Sequence, residues 1–382
     1  MQLTRPSVLM VSPTYSHPSD QGNSARIQAF GRALKARGIE VDFLHYVLDW
    51  AGEASDRAMR ECWRNFFQLN AFEKEPQAFP ACWGLDDWCP AELTEKVQSL
   101  QGQYDYDAVV VNYVWLSAAL EGAGSALKIL DTHDMFGDRH RVASKAGIHP
   151  NWYFTTIEEE SRGFDRADIV IAIQADELEV VKSRTRSEAL LVSHPVQPVA
   201  TSPYLTSVRK LADFGYLASG NPWNQMSVVE LDAEMEKLKL DWLLGGRICS
   251  VDMKLSSRPF ELGEIELVGE FYAAVRCCLN PMVEATGLKI KTIEALSFDV
   301  PVIGTNAAFA GLQAEHAFHK CTTVSDVGQA AAEFMRHNSL EAELRLAGRQ
   351  LFFKYLERVQ GQFDVLANKI RAGRKNKVEL LS

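Results

Sequence analysis

The strongest constraint on the fold is a regular alternation of short, uninterrupted apolar segments with longer segments of helical periodicity. In the first half of the chain the apolar segments are VLMVSP, IEVDFLHY, YDAVVVNY, ALKILDTHD, ADIVIAI and EALLVSH. Helical patterns such as SARIQAFGRALKARG and WYFTTIEEESRGFDRA lie between them. Apolar strands that do not alternate with polar residues are typical of a parallel sheet covered by helices on both faces. The sequence therefore predicts an α/β fold.

A proline-rich segment divides this alternation into two units. SHPVQPVATSPYLT, at residues 193–206, contains three prolines and no amphipathic period, which indicates a connection between domains. The strand patterns ADFGYLA, LDWLLGG, IELVG, VRCCLNP and VPVIGT follow it, and the last 45 residues have a helical pattern. A chain of 382 residues is also too long for one ordinary core. We expect domains at residues 1–195 and 206–355, followed by a C-terminal helix and a basic tail at 356–382.

Composition excludes several classes of protein. The formal net charge of −10 disfavours a nucleic-acid-binding protein, although a local positive site could still hold a small anion. No apolar run approaches 18 residues, so we expect neither a transmembrane helix nor a signal peptide. The seven cysteines are odd in number and lie mostly within apolar runs, which favours a reducing cytoplasm over a disulfide framework or a zinc site.

Small residues follow three predicted strands of the second unit, and ligands of open parallel sheets bind beyond such strand ends. In NPMVEATGLKIKTIEAL the first amides of a helix would face an anion. An ordinary packing helix explains this last segment equally well, but packing does not require three such turns on one edge. The residues at the three turns are Ser219, Gly220 and Asn221; Gly245, Gly246 and Arg247; and Thr286, Gly287 and Leu288, with Lys289 and Lys291 close behind.

A histidine and an aspartate end a buried strand of the first unit. LDTHDMFGDRH places His133 and Asp134 where polar side chains of this architecture face a ligand. The imidazole could hydrogen-bond a hydroxyl or relay a proton, and Asp134 could orient it. The alternative is a His–Asp pair that closes a loop.

Three segments together resemble the family 4-type glycosyltransferases with the GT-B fold. They are SPTYSHPSDQGNSARIQAFGRALKARGIEV, LDTHDMFGDRH and NPMVEATGLKIKTIEALSFDVPVIGTNAAFAGL, and the last is the most specific. The resemblance covers nearly the whole chain. It implies two Rossmann-like domains facing a cleft, with the acceptor on the N-terminal domain and a nucleotide-sugar donor on the C-terminal domain.

The resemblance also implies roles for residues on the donor side. Two glutamates at a fixed spacing contact the donor in this family. Glu294 matches the second, which holds the ribose; the first falls on Thr286, and Glu284 is close enough to replace it. The family's Arg and Lys after the first donor-domain strand are absent from ASGNPWNQ, which leaves Arg247, Lys289 or Lys291 to neutralise the diphosphate.

On the acceptor side, the resemblance places His133 beside the donor sugar and its anomeric carbon. Gly22 and Asn23, just before the first helical pattern, resemble the family's first glycine-rich turn. Asn112 and Tyr113 follow a buried strand and are further acceptor-side candidates, as is Arg139.

A basic and aromatic segment could contact a membrane. We predict DRAMRECWRNFFQL, at residues 56–69, to be one amphipathic helix with arginines on one stripe and apolar residues on the other. Core packing with a solvated arginine face is the favoured interpretation, and contact with a membrane or a lipid-linked acceptor is the alternative. The C-terminal KIRAGRKNK could add a weak peripheral membrane contact.

Together with the turns at the strand ends, the resemblance predicts a glycosyltransferase of polysaccharide biosynthesis, which transfers a sugar from a nucleotide-diphosphate sugar to a glycan, lipid-linked or other acceptor. The resemblance also implies retention at the anomeric carbon. Helix-terminus amides and cationic side chains would stabilise the leaving diphosphate. The sequence has no clustered Asp-x-Asp at a strand end, so we expect no catalytic metal and no cofactor besides the donor. Two alternatives remain open. One is an inactive sugar-nucleotide-binding partner in glycan assembly, and the other is a sugar-nucleotide epimerase, which needs further acid/base residues.

Overall fold

The structure, a computed structural model, describes residues 5–19, 21–71, 75–145, 147, 152–199, 210–265, 267–282 and 290–381, with side chains through residue 373. It divides into two compact units. Unit 1 comprises residues 1–195 and 359–382, and unit 2 comprises residues 196–358.

The described residues form strands and helices in the following order. The strands are β1 (Ser7–Ser12), β2 (Glu40–Val47), β3 (Phe66–Asn70), β4 (Ala108–Asn112), β5 (Leu127–Asp131), β6 (Ile169–Ala172), β7 (Glu188–Leu191), β8 (Ala212–Leu217), β9 (Trp242–Gly245), β10 (Phe260–Glu261), β11 (Val275–Asn280) and β12 (Val302–Gly304). The helices are α1 (Gly22–Lys35), α2 (Glu53–Cys62), α3 (Ala91–Tyr104), α4 (Arg139–Lys145), α5 (Ile157–Phe164), α6 (Ala175–Arg184), α7 (Pro222–Leu238), α8 (Val268–Ala274), α9 (Ile290–Ser297), α10 (Val324–Arg336) and α11 (Ser339–Leu381). Four 3-10 segments span Val114–Ala123, Arg247–Ser250, Ala307–Phe309 and Ala317–His319.

Unit 1 is built on a parallel sheet in the order β3-β2-β1-β4-β5-β6-β7. In β1, Val8 pairs with Val41 of β2 and with Ala108 of β4. β1 and β4 are buried along their whole length, as expected for central strands covered on both faces. The chain order reverses between β1 and β4, which makes this pair the topological switch point of the sheet.

The sequence of helix α1 explains where this helix begins and which of its faces packs into the core of unit 1. A capping box between Gln21 and Ser24 begins the helix, and basic residues in its last turn complement the helix dipole. Ile27, Phe30 and Leu34 form its buried stripe. The ring of Phe30 packs against Phe363 of α11, with the ring centroids 5.2 Å apart.

The prediction of one amphipathic helix over residues 56–69 is wrong. α2 ends at Cys62, and Phe66 already lies in β3, which pairs in parallel with β2. Met59 and Trp63 are buried in the core, as the favoured interpretation of this segment expected. The guanidinium of Arg64 binds Asp42 at 2.6 and 2.9 Å and also contacts Glu40, so this arginine belongs to the fold of unit 1. The period of apolar residues is ambiguous here because a short strand follows the helix directly.

Unit 2 has a smaller parallel sheet in the order β10-β9-β8-β11-β12. Its switch point lies between β8 and β11, where Cys277 pairs with Phe214. The expected strand at IELVG is wrong, because Val268 begins α8 and the strand beside β9 is the two-residue β10. A core including Phe214, Trp242 and Phe334 lies under the sheet.

Helix α11 contributes to both units, with residues up to Arg358 in unit 2 and residues from Val359 onward in unit 1. Its unit 1 portion buries Phe363, Leu366 and Ile370. Lys369, at the start of the expected basic tail, forms an ion pair with Glu188 at 2.6 Å.

The structure confirms the predicted α/β class, with two parallel sheets and helices around each. No helix in the described part of the chain is both long enough and apolar enough to cross a membrane.

Candidate functional site

The candidate acceptor-side site lies at the switch point of the unit 1 sheet. Asn112 ends β4, Tyr113 follows it, and His133 follows the end of the neighbouring strand β5. Tyr113 and His133 both have left-handed backbone conformations, with φ of 74° and 59°. Such conformations cost about 1–3 kcal/mol each for a non-glycine residue and are concentrated at functional sites.

The rings of these two residues are stacked. The centroids of Tyr113 and His133 lie 4.4 Å apart with 29° between the ring planes. The imidazole of His133 has only 5% of its side chain exposed. Burial lowers its pKa to about 4, so the ring is neutral at physiological pH.

Two side chains from the strand ends contact His133. Its Nε2 lies 2.8 Å from the Asn112 Oδ1 and 3.6 Å from the Asp131 Oδ2. The structure therefore brings together three polar residues from two neighbouring strands.

A buried ion pair supports this cluster. Arg26 of α1 holds both carboxylate oxygens of Asp131, at 2.9 and 2.7 Å, and also donates to the carbonyl of Val192. Arg26 and Asp131 are each 1% exposed. The sequence alone does not single out either residue. The available signal was that Arg26 lies one helical turn before Phe30, on the apolar face of α1.

Asp134 has a different partner from the one expected. Its Oδ1 accepts from the backbone N–H of Met135, and its Oδ2 accepts from Arg139 at 2.6 Å. Asn112, not Asp134, is the hydrogen-bond partner of His133 in the described residues. Arg139 begins α4, and its pairing with Asp134 ties that helix to the loop after β5.

The first turn of α1 lies beside the same cluster. Gly22 is the first residue of α1, and the side-chain amide of Asn23 donates to the Thr14 hydroxyl at 3.4 Å. Burial raises the pKa of the Tyr113 hydroxyl, and the nearby Asn23 and Thr14 side chains partly oppose this shift. Gly22, Asn23, Asn112 and Tyr113, predicted from separate segments, thus come together at one sheet edge.

The candidate donor-side site lies at the switch point of unit 2. Lys291 of α9 donates to Asn224 Oδ1 at 2.8 Å and to the Tyr216 hydroxyl at 3.3 Å. Its ammonium also lies 4.8 Å from the centroid of the Tyr216 ring. Tyr216 is on β8 and Asn224 is in the first turn of α7, so three elements hold this cation at the sheet edge. A small pocket is lined by Tyr216, Tyr272, Asn280, Lys291 and Thr292, among others.

Glu294 follows Lys291 by one helical turn. Its Oε2 accepts from the Tyr272 hydroxyl at 2.8 Å. Burial raises the pKa of the Glu294 carboxyl, while the Tyr272 hydrogen bond and the charge of Lys291 lower it. The sequence does not indicate Tyr272, because the apolar pattern of IELVG predicts a strand where Val268 in fact begins the helix that carries Tyr272. Ile293 and Leu296 of the same helix are buried, as the packing interpretation expected.

The turn after β8 is closed by a helix cap. Asn221 is the N-cap of α7 and accepts from the Asn224 N–H. Asn224 in turn donates to the carbonyl and hydroxyl of Ser219, and the Gly220 carbonyl accepts from Gln225.

The turn after β9 depends on a glycine. Gly246 has φ of +94°, and a Cβ there would lie 2.3 Å from the Ala218 carbonyl oxygen. Arg247 follows it and pairs with Glu264 at 2.9 Å on the surface. Arg247 and Glu264 line a second, open pocket next to β10.

Five candidates lie outside the described residues. They are Glu284, Thr286, Gly287, Leu288 and Lys289. Among the described residues no group of three or more His, Cys, Asp or Glu side chains is arranged to hold a metal ion.

No protein-family profile matches this sequence, and no curated protein matches it. Solved structures do resemble it. Sucrose-phosphate synthase from Thermosynechococcus elongatus superposes with a TM-score of 0.72 at 16% identity, over 96% of this chain and 100% of that one. HepE from Anabaena, solved with UDP and glucose, superposes with a TM-score of 0.66 at 14% identity, over 96% of this chain and 100% of HepE. A mutant of TarM from S. aureus, solved with UDP, fondaparinux and α-GlcNAc-glycerol, superposes with a TM-score of 0.66 at 9% identity, over 95% of this chain and 100% of TarM.

The chain has the GT-B fold. The similarity spans almost the whole length of each protein, which agrees with two units that each carry a parallel sheet. At these levels of identity the similarity establishes the fold and not the substrates. In this GT-B chain the polar clusters described above lie at the switch points of both sheets, where open α/β sheets bind ligands.

Proposed function

We propose that this protein transfers a sugar from a nucleotide-diphosphate sugar to an acceptor. The observation that carries the proposal is the lysine and glutamate of α9 at the switch point of a GT-B donor-type unit. Lys291 brings a positive charge there, and Glu294 adds a carboxylate one turn later. The positive charge of Lys291 suits a diphosphate. The carboxylate of Glu294 suits the two ribose hydroxyls, which can donate hydrogen bonds to it.

The diphosphate would be held without a metal ion. Lys291 lies against neutral oxygens of Asn224 and Tyr216, so its charge is positioned by hydrogen bonds. Arg247 and Lys289 would add charge, and the amides near Gly287 would complete the anion site. Charge that develops on the leaving diphosphate is stabilised most by donors already fixed in place.

His133 and its neighbours would act on the sugar. A buried, neutral imidazole next to Asn112 and Tyr113 suits hydrogen bonding to hydroxyl groups better than binding to phosphate. Gly22, Asn23 and Arg139 would contact the acceptor. We further propose retention at the anomeric carbon, a role in polysaccharide biosynthesis on a glycan or lipid-linked acceptor, and a cytoplasmic location with weak peripheral membrane contact.

The first experiment is calorimetric titration of the protein with UDP, GDP, ADP and TDP in the presence of a chelator. We expect one of them to bind. Lys291→Met should weaken that binding by about 10- to 100-fold, because a hydrogen bond to a charged group contributes about 1.5–3 kcal/mol. Lys354→Met, which removes a surface lysine paired with Glu315 in the same unit, is the matched control and should bind normally.

The second experiment measures transfer. Release of nucleotide diphosphate from the matching sugar donor, in the presence of an acceptor mixture, should fall strongly in His133→Ala while donor affinity is retained.

Nucleotide diphosphate binding that requires magnesium in the first experiment would refute the metal-free site. Binding without any release from any donor would favour the inactive sugar-nucleotide binder instead.

A further inference from the structure

We infer that Asn112 is a positioning residue that holds His133 with its ring proton on Nε2, so that Nδ1 is the hydrogen-bond acceptor offered to a substrate. The assignment of a substrate to this ring rests on the proposed function. The protonation pattern itself follows from contacts within unit 1.

The orientation of the Asn112 amide is fixed by a backbone carbonyl. Its Nδ2 donates to the carbonyl oxygen of Val11 at 2.7 Å. The reversed amide would set Oδ1 against that carbonyl, and two acceptors cannot form a hydrogen bond. Asn112 is 2% exposed, so the lost bond would not be replaced by solvent. Oδ1 must therefore face His133.

This orientation determines the tautomer of His133. Asn112 Oδ1 lies 2.8 Å from Nε2, and an amide oxygen can only accept. The second group near the same nitrogen is the Asp131 carboxylate at 3.6 Å, which also accepts. Nε2 must consequently carry the proton. In the neutral ring Nδ1 then has a free electron pair.

The charged groups around the His133 ring do not raise its pKa enough to hold a second proton at neutral pH. Asp131 and Asp134 favour the charged imidazole, whereas Arg26 disfavours it. Arg26 binds both oxygens of Asp131 and so neutralises the nearest carboxylate. Two further titratable neighbours are uncharged: the stacked Tyr113, whose pKa is raised by burial, and His194, which is buried and has its pKa lowered to about 3. With the ring buried as well, the pKa of His133 falls to about 4.

A neutral Nδ1 acceptor selects the group that it can bind. It accepts a hydrogen bond from a hydroxyl or an amide N–H, and it offers nothing to a phosphate oxygen. The arrangement therefore assigns His133 to a hydroxyl-bearing part of the ligand. Replacing that hydroxyl by hydrogen should cost transfer rate, whereas changing the nucleotide base should not alter this contact.

The test uses proton–nitrogen NMR of the imidazoles in the full, ligand-free protein. His133 is identified among the nine histidines by the signal that is lost in His133→Gln. We expect a proton on Nε2, none on Nδ1, and no titration between pH 6 and 8. A proton on Nδ1, or a midpoint near the ordinary histidine value, overturns the inference. This measurement needs no variant of Asn112 and no substrate.

Asn112→Leu then tests the cause. The exchange of the Nε2 proton with water should become about tenfold faster, as expected from losing one hydrogen bond to a neutral group. Asn65→Leu is the control, because it removes another unit 1 amide, one that donates to Asp42 at 3.0 Å, and should leave the His133 signal unchanged. Unchanged exchange in Asn112→Leu would show that Asn112 does not position the ring.

A kinetic arm separates this inference from the proposed function. If transfer is found, Asn112→Leu should lower kcat more than it raises KM, and its effect should largely vanish in a His133→Gln background. If no transfer is found with any donor, the proposed function fails while the NMR result still decides the protonation of His133.

Discussion

At the scale of single residues, Glu294 shows how a predicted ligand group also belongs to the fold. Its carboxylate accepts from the hydroxyl of Tyr272, a residue that is 2% exposed and stacked on Phe298 with centroids 4.9 Å apart. The hydroxyl uses one oxygen, which leaves the other for a ligand. A substitution at Glu294 must therefore be judged by both binding and stability.

We predict that Glu294→Gln weakens nucleotide diphosphate binding by about 1.5–3 kcal/mol, the contribution of hydrogen bonds to a charged group. The glutamine oxygen can still accept from Tyr272, so the melting temperature of the unliganded protein should change little. Calorimetry and a thermal melt measure the two effects. Tyr272→Phe is the control that removes the internal hydrogen bond and keeps the charge. Normal affinity in a destabilised Glu294→Gln protein would show that Glu294 is a packing residue.

Sequence alone could single out His133, Asn112 and Tyr113 as candidates, because polar residues at the ends of apolar runs stand out. Asp131 also ends such a run, but the sequence does not show that its partner is Arg26. An arginine in an amphipathic helix is usually solvated, and only the tertiary structure shows that this one is buried against a carboxylate 105 positions away. The orienting role given to Asp134 failed for a related reason, since adjacency in sequence does not decide which side chain an imidazole contacts.

At the scale of elements, α5 holds the loop that carries His133 and Asp134. Glu160 of α5 is fully buried, accepts from the N–H of Phe136 at 2.6 Å and pairs with Arg184 at 2.9 Å. Burial raises the pKa of Glu160 to about 7, although the Phe136 N–H and Arg184 oppose the shift. The folded protein thus binds this proton more tightly than the unfolded chain does.

We predict a pH-dependent loss of stability that depends on Glu160. Between the ordinary glutamate pKa and about 7 the unfolded chain releases a proton that the folded protein retains, so the contribution of Glu160 to the free energy of unfolding falls as pH rises through this window. The fall should reach about 3 kcal/mol, at about 1.4 kcal/mol per pKa unit. Buried histidines such as His133 and His194, whose pKa values are lowered, add an opposite slope below about pH 6.5, so the measurement is the difference between two proteins. In denaturant unfolding from pH 4.5 to 8, the stability of the wild type relative to Glu160→Gln should fall by this amount.

Glu158→Gln is the control for that experiment, because Glu158 lies on the same helix. Hydrogen bonds from its own backbone N–H and from Thr156 lower its pKa, so Glu158 titrates below the window and the wild-type slope should persist in this variant. Equal slopes in the wild type and Glu160→Gln would contradict the prediction.

The turn between β9 and the following 3-10 segment gives a second prediction at this scale. Gly246→Ala combines a positive φ with a contact of 2.3 Å to the Ala218 carbonyl, whereas Gly263 has φ of +72° and a Cβ added there would meet no atom within 4 Å. We expect Gly263→Ala to cost about 1–2 kcal/mol from its backbone conformation alone. Gly246→Ala should cost a further 1–3 kcal/mol or so from the overlap. Equal melting temperatures for the two variants would contradict the role of this contact.

The elements themselves were largely predictable, because buried parallel strands are continuous apolar runs. The failures lie where an element is very short or where two elements adjoin. β10 has two residues and no apolar period to detect. At residues 62–66 a helix gives way to a strand within a few positions, and one amphipathic pattern covers both.

At the scale of the whole molecule, the last helix determines how unit 1 is completed. The ring of Phe363 is 1% exposed and packs on Phe30, and the guanidinium of Arg37 lies 5.5 Å from its centroid. The backbone N–H of Ser193 donates to Gln362. Residues far apart in sequence therefore share one core.

We predict that Phe363→Ala destabilises the protein by about 3–5 kcal/mol, the usual cost of emptying a buried aromatic site. Hydrogen exchange should rise in α1, β1 and β2 of unit 1. Phe353→Ala, which removes a 58% exposed ring on the same helix, should stay within about 0.5 kcal/mol of the wild type. Similar exchange in both variants would show that α11 is not part of the core of unit 1.

The division of α11 between the units has a consequence for biosynthesis. A ribosome makes residues 359–373 only after the whole of unit 2, so unit 1 lacks one wall of its core while residues 196–358 are translated. During that interval Phe30 has no Phe363 to cover it, and a nascent chain with exposed apolar surface is prone to aggregation and to capture by chaperones. The domain encoded first would thus be the one that finishes folding last.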